Sequence, residues 1–269
     1  MLPKRLLVLT FFAAFVVMPT CGLHAQWVQT SEPGGNILGL TGNDRILFAD
    51  SYELKGLFRS QDNGRSWVEC DSGLPSEIVN TSETYGKILL KDTNLFLEIN
   101  SNRIYCSIDA GTGWSEASDG LDSVFLIHDL KATARGLCIA TNSGIYISTD
   151  NGLIWTPGTL RAETYTLATI GHTIFTTDGN VVSLSTDDGA NWTSTNSQGI
   201  HGKGIWLLGM LGSYLFASTD SGIFRSLDSG NHWNDLNYSI AEYPHNFFNT
   251  KVIYLLQLEQ VFFYRMILE

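Results

Sequence analysis

The chain has 269 residues, with 16 Lys and Arg against 27 Asp and Glu, a formal charge of −11 and 43% apolar residues. That balance excludes a disordered tail, and the lack of a basic cluster excludes the counterion-release affinity on which nucleic-acid binding rests. The 26 Gly, 7 Trp, 10 Tyr and 14 Phe beside only 6 Pro predict many short strands joined by tight turns, because Gly supplies positive φ and aromatic rings favour half-buried pleated surfaces.

Lys4 and Arg5 precede an apolar run from Leu6 to Met18, and Pro19, Gly22 and Ala25 then break it before Gln26. Residues 1–25 read as a secretory signal peptide. A run of this length is short of the roughly 20 residues that span a bilayer, so no transmembrane anchor is expected after cleavage. The mature chain is expected to be exported, to a periplasm, a cell surface or the medium. Cys21 is the alternative, as a lipid attachment site, but Met18-Pro19-Thr20 is a poor approach to an acylated cysteine. Loss of the leader removes two cations and no acids, leaving −13. Cys70, Cys106 and Cys138 remain, an odd number that cannot pair completely within one chain. Cys106 and Cys138 lie in apolar stretches and read as small buried hydrophobes.

From residue 36 onwards one arrangement recurs. First strands are predicted at Asn36 to Leu40, Lys87 to Leu90, Val124 to Leu130, Tyr165 to Ile170 and Gly204 to Leu208. Second strands follow at Ile46 to Ala49, Asn94 to Leu97, Gly136 to Ile139, Thr173 to Thr176 and Tyr214 to Ala217. Alternating third strands include Gly56 to Arg59, Ile104 to Cys106, Gly144 to Ile147 and Gly222 to Arg225. After each third strand stands the octapeptide Ser-x-Asp-x-Gly-x-x-Trp, repeated five times with its four fixed positions intact. The copies are Ser60, Asp62, Gly64 and Trp67; Ser107, Asp109, Gly111 and Trp114; Ser148, Asp150, Gly152 and Trp155; Ser185, Asp187, Gly189 and Trp192; and Ser226, Asp228, Gly230 and Trp233. The tryptophans stand 47, 41, 37 and 41 residues apart, a period suited to a four-stranded unit whose fourth strand begins at the Trp. In physical terms the octapeptide is the turn between strands three and four. Ser and Asp bond its backbone, Gly takes positive φ, and Trp folds back between sheets.

These octapeptides resemble the Asp-box, or bacterial neuraminidase repeat, over roughly residues 26 to 240. The resemblance implies an all-β fold, a β-propeller of four-stranded antiparallel blades, and it is specific for fold and weak for function. Relatives include sialidases, xyloglucan-cleaving hydrolases, the sortilin ectodomain and a photosystem II assembly factor. Five Asp-box blades fill residues 26–246 with one further unit's worth of chain, so an irregular sixth blade is expected, closed by the N-terminal strand Trp27-Val28-Gln29. Closure matters because an open ring exposes sheet edges. Residues 247–269 lack the Gly, Ser and Asp that punctuate the other units. They read as strands of a degenerate last blade, with an amphipathic helix built on Val252, Leu255, Leu256, Phe262, Phe263 and Met266 as the alternative.

Asp-box turns lie away from the ligand face in that family, so ligands are expected among the loops at the opposite ends of the strands. The strand pattern places Tyr52, Glu53, Lys55, Glu77, Tyr85, Asp122, Glu163, Tyr165, His201, Lys203 and Trp206 there, a polar and aromatic rim suited to a sugar or peptide. Tyr52, Lys55, Tyr85, Asp122, Tyr165, His201 and Trp206 are the candidate binding residues. No catalytic set stands out. Sialidase chemistry needs converging arginines, and Arg59 and Arg225 instead occupy matching surface positions before their boxes. Asp92 and Asp129 are the one pair of carboxylates that a two-carboxylate glycosidase would use, if they face each other after the first strands. His128, His172, His201, His232 and His245 are dispersed and no HExxH or calcium loop occurs, so no metal and no cofactor is expected. The expected function is an exported, non-catalytic propeller that binds a protein or glycan. A sialidase-like or xyloglucanase-like glycosidase is the alternative and an assembly factor the third.

Overall fold

The computed structural model describes residues 37–51, 56–75, 85–99, 102–200, 203–236, 246–250, 253–258 and 261–265. The leader, Cys21 and the strand expected at Trp27 to Gln29 lie outside the described residues.

Every element in the described residues is a strand. The first sheet holds β1 (Ile37–Gly42), β2 (Leu47–Ser51), β3 (Gly56–Ser60) and β4 (Val68–Glu69). The second holds β5 (Tyr85–Lys91), β6 (Asn94–Ile99), β7 (Arg103–Ser107) and β8 (Ser115–Glu116). The third holds β9 (Ile127–Ala132), β10 (Leu137–Thr141), β11 (Gly144–Ser148) and β12 (Thr156–Pro157). The fourth holds β13 (Thr166–Ile170), β14 (Thr173–Thr177), β15 (Val182–Ser185) and β16 (Thr193–Ser194). The fifth holds β17 (Ile205–Leu211), β18 (Tyr214–Thr219), β19 (Gly222–Ser226) and β20 (Asn234–Asp235). In all five the strands run in sequence order across the sheet, and the registered pairs are antiparallel. A sixth, three-stranded sheet follows, of β21 (Asn246–Thr250), β22 (Ile253–Leu258) and β23 (Val261–Arg265). The described part of the C-terminal segment is therefore strand and not the alternative helix.

Fourth strands are only two residues long and begin one residue after each Trp. First strands match the expected positions except β9, which starts at Ile127 instead of Val124. The side chain of Asn142 explains the difference. Its Oδ1 accepts from the backbone N–H of Phe125 and Leu126, at 3.3 and 3.2 Å, and holds both out of the ladder.

The Ser, Asp and Gly of the octapeptide turns repeat one hydrogen-bond pattern. Each Ser Oγ accepts from the Gly N–H four residues on at 2.8 Å and donates to the Asp Oδ1 at 2.7–3.0 Å. That Oδ1 also accepts a backbone N–H four residues further on, at 2.8–3.0 Å. The residue before each Gly shares its positive φ, from 57° at Asp188 to 61° at Asn63. Register places the Ser on equivalent rungs, since Ser60, Ser148, Ser185 and Ser226 each face the first or second residue of their second strand.

The chain divides into two compact units, one of Met1–Asn100 with Cys106–Ser115, the other of Ser101–Tyr105 with Glu116–Glu269. In the second unit neighbouring residues of one strand feed different cores. Leu167 and Ile174 pack with Cys138, Ala140 and Ile145, whereas Ala168 and Phe175 pack with Leu208, Leu215, Phe224 and Trp233. The inner part of the fourth sheet is thus packed on both faces, and β13 and β14 carry buried residues at successive positions, 166–168 and 174–177. First strands are tied to one another by side chains. Asp129 Oδ2 accepts from Leu167 N at 2.9 Å, and Thr166 Oγ1 accepts from Leu208 N at 3.3 Å. In the first unit Thr41 Oγ1 does the same for Leu90 N at 3.0 Å, and Ile37 and Ala49 pack with Leu40 and Trp67. Cys70, Cys106 and Cys138 are buried free thiols. Burial pushes the Cys70 thiol up to about 12 and raises the other two as well.

Candidate functional site

Antiparallel strands put the octapeptide turns at one end of each sheet. The turns between strands two and three, and the starts of first strands, lie at the other. In the second unit this opposite edge carries three exposed rings. Phe125 is 78% exposed, Trp206 48% and Tyr165 40%.

The backbone at this edge is fixed by short polar side chains. Thr141 Oγ1 donates to Gly144 O at 2.7 Å and accepts from Ser143 N, and Thr219 does the same with Gly222 and Ser221. Thr177 Oγ1 accepts from Gly179 N at 3.0 Å. Second strands therefore end in a hydroxyl-closed turn.

Trp206 stands on β17 with its indole N–H spent on Asp220 Oδ1 at 2.7 Å. Gly204 makes this approach feasible. A Cβ there would lie 2.4 Å from Asp220 Oδ2, and its φ of +42° is in the left-handed region. Lys203 leaves its ammonium 4.8 Å over the Phe224 ring. Tyr165, one residue before β13, packs edge-on to His128 with centroids 5.0 Å apart. His128 Nε2 lies 3.2 Å from Glu163 Oε1. Desolvation raises the Tyr165 phenol, and the carboxylates of Glu163 and Asp178 add to the rise. The Tyr165 ring also lies over Gly179, where a Cβ would meet Cε2 at 3.5 Å. Gly179 O in turn accepts from Ile205 N at 2.7 Å, one residue before Trp206. Tyr165 and Trp206 are therefore linked through a single turn.

Of the residues expected at the rim, Glu163, Tyr165, Lys203 and Trp206 are brought together, and Asp122 is exposed two residues before Val124. Tyr52, Glu53, Lys55, Glu77 and His201 lie outside the described residues. So does the side chain of Tyr85, whose backbone opens β5. Phe125, His128, Asp178 and Asp220 belong to the edge and were missed. Phe125 and His128 were hidden inside a stretch read as strand, whereas the Thr-Asp pairs at 177–178 and 219–220 carried a turn signal that would have found the two aspartates.

Asp92 and Asp129, the carboxylates that a glycosidase would pair, each have a local structural role. Asp92 occupies the turn after β5 with φ +56° and pairs with Lys91 Nζ at 2.7 Å. Asp129 sits near the start of β9, the opposite end of a first strand. It is buried and saturated by Leu130 N, Leu167 N, Lys131 Nζ and Thr166 Oγ1. It is a strut. Arg59 donates to Ala110 O at 2.8 Å and Arg225 covers the Tyr214 ring, so neither forms a clamp.

A different acid pair lies in the first unit. Asp50 and Glu98 are both buried, and burial followed by the Glu98 charge pushes Asp50 up to about 8. Glu98 Oε2 accepts from Lys87 N at 3.1 Å and occupies space that a Cβ on Gly86 would fill. Among the described residues no three His, Cys, Asp or Glu side chains converge as a metal site, and no helix is long and apolar enough to cross a membrane.

No family model matches the chain, and no curated protein matches it. Solved structures do. YCF48 from Cyanidioschyzon merolae is 14% identical over 88% of this chain and 84% of its own, with a TM-score of 0.65. YCF48 bound to D1 peptide is 14% identical over 90% and 82%, with a TM-score of 0.68. The GH74 xyloglucanase from Xanthomonas campestris is 16% identical over 88% of this chain but 46% of that one, with a TM-score of 0.64. The shared fold is the β-propeller.

Proposed function

We propose that this chain is an exported, non-catalytic β-propeller of the Asp-box type that binds a protein or glycan ligand at the edge opposite its octapeptide turns. The observation that carries this reading is the row of exposed Phe125, Tyr165 and Trp206 rings set on a rigid polar frame. Rings whose backbone or polar atoms are already engaged bind with less loss of conformational entropy. Five repeated turns with one hydrogen-bond pattern support the Asp-box assignment. In this reading β21–β23 form a sixth blade that takes its fourth strand from Trp27 to Gln29.

Two likenesses pull the function in different directions. The peptide-bound YCF48 structure favours a protein ligand, and the xyloglucanase favours a glycosidase. Against hydrolysis, Asp129, one of the two carboxylates that a glycosidase would pair, is buried and saturated by four donors. The test is a binding screen on immobilised glycans and peptides, run beside a reducing-sugar assay on xyloglucan. A ligand captured without product release, with at least tenfold weaker capture by Trp206→Ala at an unchanged melting temperature, is the expected result. Release of reducing sugar would overturn it.

A further inference from the structure

The described polar groups at the loop edge of the second unit are mostly acceptors. Asp122, Glu163, Asp178 and Asp220 are exposed carboxylates, each with at least one oxygen not used by the contacts already described, against Arg161, Lys203 and His128, whose Nε2 lies 3.2 Å from Glu163 Oε1, as the basic groups of the same loops. The Lys203 ammonium is already engaged over Phe224. The Trp206 N–H is consumed by Asp220, so what the indole offers a ligand is its π-face, with a carboxylate at the rim. Tyr165 repeats the arrangement one turn away, an exposed ring with Glu163 and Asp178 beside it. Each ring and its carboxylates form a receptor for a cation, because the quadrupole of the face and the anion at its margin attract the same charge. A neutral sugar can stack on the rings and donate hydroxyls to these carboxylates but leaves their charge uncompensated, whereas a guanidinium brings a planar face, five donors and a positive charge.

Resting on the binding reading above, we propose that the Tyr165 and Trp206 receptors take two arginine or lysine side chains of one extended basic peptide. The acidic chain, −11 overall, attracts such a ligand.

The test uses the full chain and three probes: an alternating Arg-Gly octapeptide, its Glu-Gly counterpart, and cellohexaose. Binding is read by calorimetry and by Trp fluorescence at low and high salt. The Arg-Gly peptide is expected to bind, to weaken with salt, and to lose at least tenfold in affinity with Glu163→Gln or with Asp220→Asn. Trp206→Phe, which keeps a ring, is expected to retain more affinity than Trp206→Ala. Should Asp220→Asn melt early because Trp206 loses its anchor, Glu163→Gln on an intact fold still decides. Equal binding of the Glu-Gly peptide, or indifference to Glu163→Gln, would overturn the proposal. Cellohexaose binding at Trp206 with no peptide binding would overturn it while sparing the ligand-binding edge. No response to any probe would count against both.

Discussion

Ala110 occupies the left-handed region at φ +59°, where the equivalent turns place Asn63, Asn151, Asp188 and Ser229. Those polar side chains tolerate that region better than Ala does, because Cβ crowds the carbonyl and Ala has no local hydrogen bond in return. Gly111, next in the chain, is fixed by the packing of Cys70, whose carbonyl oxygen would lie 2.9 Å from a Cβ there. The strain at Ala110 is thus separable from the packing at Gly111. Ala110→Asn is expected to stabilise the protein by several tenths to about 1 kcal/mol, read as a raised urea midpoint with unchanged slope. A lowered midpoint would mean that the Ala110 carbonyl, which accepts from Arg59, is disturbed by the change.

At the level of the strand and turn, the five tryptophans are alike in sequence and unlike in surroundings. Trp155 is 2% exposed and Trp233 is buried, while Trp67, Trp114 and Trp192 are half-buried. Trp155 and Trp114 send their N–H back to the preceding repeat, to Ala117 O and Cys70 O, whereas Trp67, Trp192 and Trp233 bond the Gly carbonyl of their own turn. Trp155→Ala empties a closed site and is expected to cost on the order of 3–5 kcal/mol. Trp67→Ala removes a ring already half in water and should cost about half as much. Chemical melts of the two variants giving equal losses would show that the turn, and not the neighbouring sheet, sets the value of the Trp. This difference also marks the limit of what the residues alone disclose. Strand order, the turn and the existence of a fourth strand after it follow from local chemistry and spacing, and so do Tyr165 and Trp206 as residues at the start of a first strand, whereas the two-residue length of the fourth strands does not. The start of β9 depends on Asn142, and the Tyr165–His128–Glu163 cluster on how β9 meets β13, contacts that no local pattern encodes.

Over the whole molecule, two sets of carboxylates give the stability opposite pH dependences. The turn aspartates are held low by hydrogen bonds, donated first of all by Ser66, Thr112, Ile154, Asn191 and His232. Asp62, Asp109, Asp187 and Asp228 fall to about 2 and Asp150 is lowered in the same sense. Their contribution is fully present above the ordinary carboxyl value of 3.8 and is lost as pH falls towards about 2. Asp50 runs the other way. Held at about 8 by burial and by Glu98, it binds a proton in the folded state that the unfolded chain gives up near 3.8, so stability declines as pH rises between those values. Together they place the maximum in mildly acid solution. Urea midpoints measured from acid to weakly alkaline pH are expected to rise to that maximum and then fall. Asp50→Asn should flatten only the alkaline limb, because an amide at position 50 does not ionise. Asp187→Asn should shrink only the acid limb. A wild-type midpoint that climbs steadily through neutrality would mean that the Asp50 carboxyl is ionised in the folded core, with a cation or solvent compensating its charge.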